Sequence, residues 1–133
     1  MKNKKHKFCP VEIAGILDSR FRKFFHNPNA ILKPFIKKNI TALDIGCGSG
    51  LFSTEIAELL EGTGKVIAVD MQEGMLEIIK KKISGKAIEK TIVLHKCTQH
   101  SINLTVNFIK KFGFEEHKAL KIPLSKGIVL KKL

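Results

Sequence analysis

The segment Leu43-Asp44-Ile45-Gly46-Cys47-Gly48-Ser49-Gly50 places an acid ahead of three glycines at alternate positions. Glycine tolerates positive φ, so this spacing lets the backbone leave one element, turn sharply and enter the next. It also lets a ligand lie against the main chain, with the amides of a following helix N-terminus facing it. A second acid, Asp70, stands 20 residues beyond Gly50. A carboxylate at such a place can accept hydrogen bonds from both hydroxyls of a ribose. The chemistry these residues suit is capture of a nucleoside-bearing ligand. A P-loop needs GxxxxGK[ST], which is absent, and the fragment Gly62-Thr63-Gly64-Lys65 precedes a strand instead of following one. The dinucleotide fingerprint GxGxxG differs as well, because the third glycine comes one residue early.

Such a turn needs a strand before it and a helix after it. Residues 41–45 are a short run that reads as a buried strand. Residues 51–61 read as a helix with Phe52, Ile56, Leu59 and Leu60 inward and Gly62 as its stop. A second strand spans 66–69 and ends at Asp70. A helix over 72–83 turns Met75, Leu76 and Ile79 inward and ends at Gly85, and a third strand spans 91–94. This alternation implies parallel βαβ units with right-handed crossovers. Open α/β sheets bind ligands beyond the carboxyl ends of their strands, where Asp44 and Asp70 both fall. Upstream, residues 1–8 form a basic tail. A helix over 11–25 follows, broken at His26-Asn27-Pro28-Asn29. The next helix carries Ile31, Leu32, Phe35 and Ile36, with Pro34 in its first turns or kinking it. Downstream, a helix over 102–112 is capped by Gly113. Strands 114–122 and 127–130 then make an antiparallel hairpin joined by Pro123-Leu124-Ser125-Lys126.

The stretches ALDIGCGSGLFSTEIAELL and GKVIAVDMQEGMLEIIKKKI resemble the class I S-adenosylmethionine (SAM)-dependent methyltransferases, in the small-molecule branch that includes quinone-biosynthesis enzymes. The resemblance covers residues 27–97, and the acid followed by GxGxG matches the family's motif I. It implies SAM as cofactor, with Asp44 helping to place its ammonium group and Gly46, Gly48 and Gly50 against its methionine part. Cys47 fills the variable position of that loop and is not read as a nucleophile. Asp70 falls on the family's ribose acid, Met71 on an adenine-packing position, and Gln72 beside it. Met75 reads as helix core before it reads as a second apolar wall. After the third strand the family often has an Asp that contacts the adenine amino group; here Cys97 or Thr98 stands in that place. No catalytic residue is identifiable. Transfer from a sulfonium is an in-line displacement, in which holding donor and acceptor in line supplies much of the catalysis. The resemblance fades after the third strand. The final stretch VNFIKKFGFEEHKALKIPLSKGIVLKKL is similar to the family's last helix and closing hairpin, and the fourth and fifth strands are missing from the pattern.

These readings combine into an α/β fold: an abbreviated Rossmann-like sheet of about five strands flanked by helices, with a C-terminal antiparallel hairpin. Residues 1–133 are read as one domain, with 1–40 a helical cap, 41–97 the SAM-binding core and 98–133 the C-terminal helix and hairpin. Phe21, Phe24, Phe25 and Phe35 of the cap are expected to pack near the mouth of the site. The expected function is SAM-dependent methyl transfer to a small-molecule acceptor. The alternative is a SAM-binding paralogue or partner subunit without activity, favoured by the missing acceptor-side strands.

A third reading, a nucleic-acid-interacting module, rests on the net charge of +12 alone. The lysines are scattered, Arg20 and Arg22 are the only arginines, and nine Phe with no Tyr or Trp sit mostly in apolar patterns. Base readout and stacking are poorly supplied, so nucleic acid is the less favoured partner. Three cysteines without a CxxC pair, and His95, His100 and His117 without ligand spacing, predict neither disulfide nor metal. No apolar run reaches the roughly 18 residues of a membrane span, and none follows the basic N-terminus as in a secretory signal. A cytoplasmic location without membrane contact is expected. With no fourth strand, the flank of residues 43–45 lacks its neighbour. The expected repair is the hairpin sliding in beside it, with a homodimer as the other cover.

Overall fold

The computed structural model describes residues 27–98, together with the backbone of strands 114–122 and 125–132. The expected helices over 11–25 and 102–112 lie outside the described residues, as do Phe21, Phe24 and Phe25. Helix α1 (Pro28–Leu32) begins on Asn27, whose side-chain oxygen accepts from the Ala30 amide at 3.2 Å. Of the stretch expected as a break, residues 27–29 start this helix: Asn27 caps it and Pro28 occupies the first turn, where its missing N–H has no cost. Pro34 lies past the end of α1 and not within it: Lys33 still has helical backbone (φ −48°, ψ −38°), but proline has no N–H with which to carry the helix ladder on. Asn29 also donates to Glu55 at 2.8 Å, tying α1 to the next helix.

Strand β1 (Thr41–Ile45), helix α2 (Leu51–Leu59), strand β2 (Lys65–Asp70), helix α3 (Glu73–Ile83), a 3-10 turn (Ala87–Lys90) and strand β3 (Ile92–Lys96) follow in order. The strands pair in parallel as β1-β2-β3, with Asp44 opposite Ala68 and Asp70 opposite Lys96. Alternation along the strands then puts Ala42, Asp44, Val66, Ala68, Asp70, Ile92 and Leu94 on one face. The helices cover this face. Ile56, Ala57 and Leu60 of the α2 region and Leu76, Ile79 and Ile83 of α3 close a core with Val66, Ala68 and Ile92, and Leu32 joins from α1. Helix α3 is sharply amphipathic, with Lys80, Lys81 and Lys82 in its last turn, where cations suit the helix dipole. The other sheet face carries Leu43, Ile67 and Val93 in one row. Leu43 and Val93 are 44% and 47% exposed, so the helices screen one face and leave those two partly open.

The expectation of about five strands in one sheet is corrected. Strands β4 (Phe114–Ile122) and β5 (Ser125–Lys132) pair antiparallel in a sheet of their own, from Phe114 opposite Lys132 to Ile122 opposite Ser125. Among the described residues β1 pairs with β2 alone, so the expected insertion of the C-terminal strands beside residues 43–45 does not occur. β4 and β5 pair with each other along nearly their whole length, with a register shift between Glu116 and Lys118, and form a two-stranded sheet separate from β1-β2-β3. Among the described residues no helix is long and apolar enough to cross a membrane.

Candidate functional site

The β1–α2 loop is built by its glycines. Gly46, Gly48 and Gly50 take φ of +74°, +54° and +85°, a region that other residues enter at a cost. The amides of Gly46 and Cys47 both donate to the Val69 carbonyl, at 2.8 and 3.0 Å, and the Gly48 amide donates to Asp70 Oδ2 at 2.8 Å. These loop amides are committed inside the protein, so the loop does not present them to a ligand as the sequence alone suggests. What the first two glycines leave is room. A Cβ on Gly46 or Gly48 would meet no atom within 4 Å. Gly50 is different: a Cβ there would lie 2.6 Å from Ile79 Cγ1 of α3. Its lack of a side chain lets α2 begin directly against α3.

Two carboxylates lie on the helix-covered face at the carboxyl ends of β1 and β2. Asp70 is buried; Oδ1 accepts from the Gln72 amide and Oδ2 from the Gly48 amide, each at 2.8 Å. Each oxygen keeps further acceptor capacity. Asp44 accepts from Ser53 Oγ at 2.6 Å. Burial raises the Asp44 carboxyl above the usual carboxylate range, the Ser53 hydroxyl opposes this, and the Asp70 charge adds to it. The Cys47 thiol is pushed up to about 12, chiefly by burial and then by Asp44 and Asp70, so it stays protonated and inert as a nucleophile.

The remaining expected residues sit around these. Met71 and Gln72 are half-buried at the start of α3, with Gln72 as its N-cap, whereas Met75 is 3% exposed and belongs to the core. The Cys97 amide donates to the Asp70 carbonyl at 3.0 Å, bringing the end of β3 to the site. Its thiol is raised by desolvation and then by the Asp70 charge. His95 is exposed. Among the described residues no cluster of His, Cys, Asp and Glu is arranged to hold a metal. Sequence reading missed three contributors. Ser53 holds Asp44, Ile79 underlies Gly50, and Lys82 Nζ donates to the Ser49 carbonyl at 2.8 Å. Ser53 carried a faint signal, a hydroxyl on the first turn of α2 after the glycines; the two α3 residues carried none.

Residues 36–126, well over half of the chain, match the family described as methyltransferase domain. The chain belongs to the class I SAM-dependent methyltransferase family. Among curated relatives, a protein of Saccharolobus solfataricus named as a probable cobalt-precorrin-6B C(15)-methyltransferase (decarboxylating) is 32% identical, over 71% of this chain and 52% of its own length. A ubiquinone biosynthesis O-methyltransferase of Mesorhizobium japonicum is 36% identical over 56% of this chain and 28% of its own. Among solved structures, a SAM-dependent methyltransferase from Aquifex aeolicus superposes with TM-score 0.61 at 29% identity, over 70% of this chain and 49% of that one. The chain thus spans about half, or less, of the length of these relatives. The family's methyl donor is SAM, and the methyltransferase loop fits a ligand of that kind on its own geometry. The open space at Gly46 and Gly48 is one that any Cβ would fill, and it adjoins a buried carboxylate with acceptor capacity to spare.

Proposed function

We propose that this chain binds SAM over the β1–α2 loop and transfers its methyl group to a small-molecule acceptor. The observation that carries the reading is the open space at two positive-φ glycines, beside the half-buried Asp44 and buried Asp70 carboxylates at adjacent strand ends. The cofactor supplies a methyl group made electrophilic by its sulfonium.

The residues would bind and orient. Asp70 would accept from the ribose hydroxyls while its bonds to the Gly48 and Gln72 amides hold the carboxylate plane still. Asp44, held by Ser53, would face the ammonium group; a bound cation favours the ionised carboxylate that burial alone disfavours. Gly46 and Gly48 would admit the methionine part, Met71 and Gln72 would flank the adenine, and Cys47 and Cys97 would line the cleft as neutral thiols. The acceptor class follows relatives named for corrinoid and quinone methylation.

Isothermal titration with SAM and with S-adenosylhomocysteine tests binding. A screen of quinol and corrinoid acceptors with methyl-labelled SAM tests transfer, and titration with nucleic acid tests the competing reading from charge. Absence of binding to either cofactor form refutes the proposal. Binding without label transfer to any small molecule leaves a SAM-binding protein and refutes the activity.

A further inference from the structure

The Ser49–Gly50 peptide is held at both ends. Its N–H, on Gly50, donates to the Cys47 carbonyl at 3.0 Å, inside the loop. Its carbonyl, on Ser49, accepts from Lys82 Nζ at 2.8 Å, a contact across 33 positions of sequence. Ser49 is buried, and Lys82 is half-buried. This peptide rotates about ψ of Ser49 and φ of Gly50, and on the Gly50 side no Cβ resists the turn. Rotation would exchange the Ser49 carbonyl for the Gly50 N–H and change the path of Gly48, whose amide binds the Asp70 carboxylate. Lys82 is one turn beyond Ile79, which packs under Gly50, so α3 grips the loop through two residues on one helix face. An ammonium donating to a carbonyl is a charge-assisted bond and stronger than a neutral one. Burial, with Lys86 nearby, lowers the Lys82 ammonium below the usual lysine range.

We propose that Lys82 is a positioning residue of the cofactor site: by donating to the Ser49 carbonyl it holds the Ser49–Gly50 peptide plane, and with it Gly48, in the conformation that receives the cofactor. This rests on the reading of the β1–α2 loop as the SAM site.

The test compares the parent with Lys82→Met, Lys82→Arg and Lys82→Gln, using S-adenosylhomocysteine as the probe. Titration calorimetry reads affinity, ¹⁵N–¹H spectra of the ligand-free proteins read the Gly48 and Gly50 amides, and thermal unfolding reads stability. Lys82→Met should weaken binding about tenfold, allowing for the partial exposure of the ammonium. It should also shift both glycine amides. Lys82→Arg, which keeps charge and donor, should recover most of both. Lys82→Gln is too short to reach Ser49 and should behave like Met; it carries the comparison if the Met variant does not fold. A lowered unfolding temperature with parental affinity and unshifted glycine amides would make Lys82 merely structural and overturn the proposal. If the parent itself fails to bind S-adenosylhomocysteine, the reading of the site has failed, and the proposal falls with it.

Discussion

Gly50→Ala should lower stability more than Gly48→Ala, for a reason the two glycines do not share. Both have positive φ, +85° and +54°, so alanine pays roughly 1–2 kcal/mol of backbone strain at either position. Restriction of the unfolded chain offsets about 0.4–1 kcal/mol in each. At Gly48 nothing else opposes the new methyl group, because no atom lies within 4 Å of it. At Gly50 the methyl would lie 2.6 Å from Ile79 Cγ1 and 3.0 Å from Cδ1. Ile79 is fully buried and cannot retreat, so overpacking adds about 1–3 kcal/mol. The difference between the variants should therefore be about 1–3 kcal/mol, read by urea denaturation with a common m value. A double-mutant cycle locates the cause. Ile79→Ala alone costs about 2–5 kcal/mol through its cavity, but in the Gly50→Ala background it also removes the clash, so the two losses should add to less than their sum. Additivity within about 0.5 kcal/mol, or equal losses at the two glycines, would refute the packing argument. Affinity should run the other way. Gly48→Ala, the milder change for the fold, puts a methyl group in the space assigned to the cofactor and should abolish detectable S-adenosylhomocysteine binding.

Asp70→Ala orphans the Gly48 and Gln72 amides, each at about 1–3 kcal/mol, and should lose both stability and cofactor affinity; parental affinity by calorimetry would remove Asp70 from the site. For Asp44 the sign is unusual. Its folded carboxyl is raised above the usual 3.8, so the folded state binds the proton more tightly than the unfolded chain, and its contribution to stability falls as pH rises from 3.8 through the raised value. Asp44→Asn should flatten that part of the stability–pH curve and leave the neutral-pH protein at least as stable, while weakening cofactor binding; an unchanged slope in acid-range melts would contradict this. Gly64→Ala should destabilise more than Gly62→Ala in chemical denaturation, because its Cβ would collide with the Ile40 carbonyl oxygen, backbone that cannot swing aside, whereas Gly62→Ala meets open space and carries only the positive-φ strain of about 1–2 kcal/mol; equal losses would contradict this.

Much of the βαβ core was legible in the sequence because its signals are local. Strand 41–45 was read with its observed bounds, and helices 51–61 and 72–83 to within a residue or two of their ends, from apolar periodicity and glycine stops. Gly46, Gly48 and Gly50 announced a turn of positive φ because few other residues adopt it. Asp44 and Asp70 were placed at strand ends by counting along their own strands. The fate of longer-range pairings was not legible. The path from β3 to β4 and the partner of β1 depend on which edges meet, and an apolar strand carries no label for its neighbour. Hence a single sheet of about five strands was expected where, among the described residues, three parallel and two antiparallel strands form separate sheets.

The sequence by itself determined the parallel βαβ order, the glycine turn and the two acids beside it, since each follows from the backbone preferences of neighbouring residues. Tertiary structure alone decided what holds them. Only packing α3 against the loop gives Gly50 its intolerance of a side chain and the Ser49 carbonyl its lysine, and only the strand register sets the Gly48 amide on Asp70. These contacts join residues 22 to 33 positions apart, where a side chain's partner depends on distances in the folded chain that no local spacing encodes.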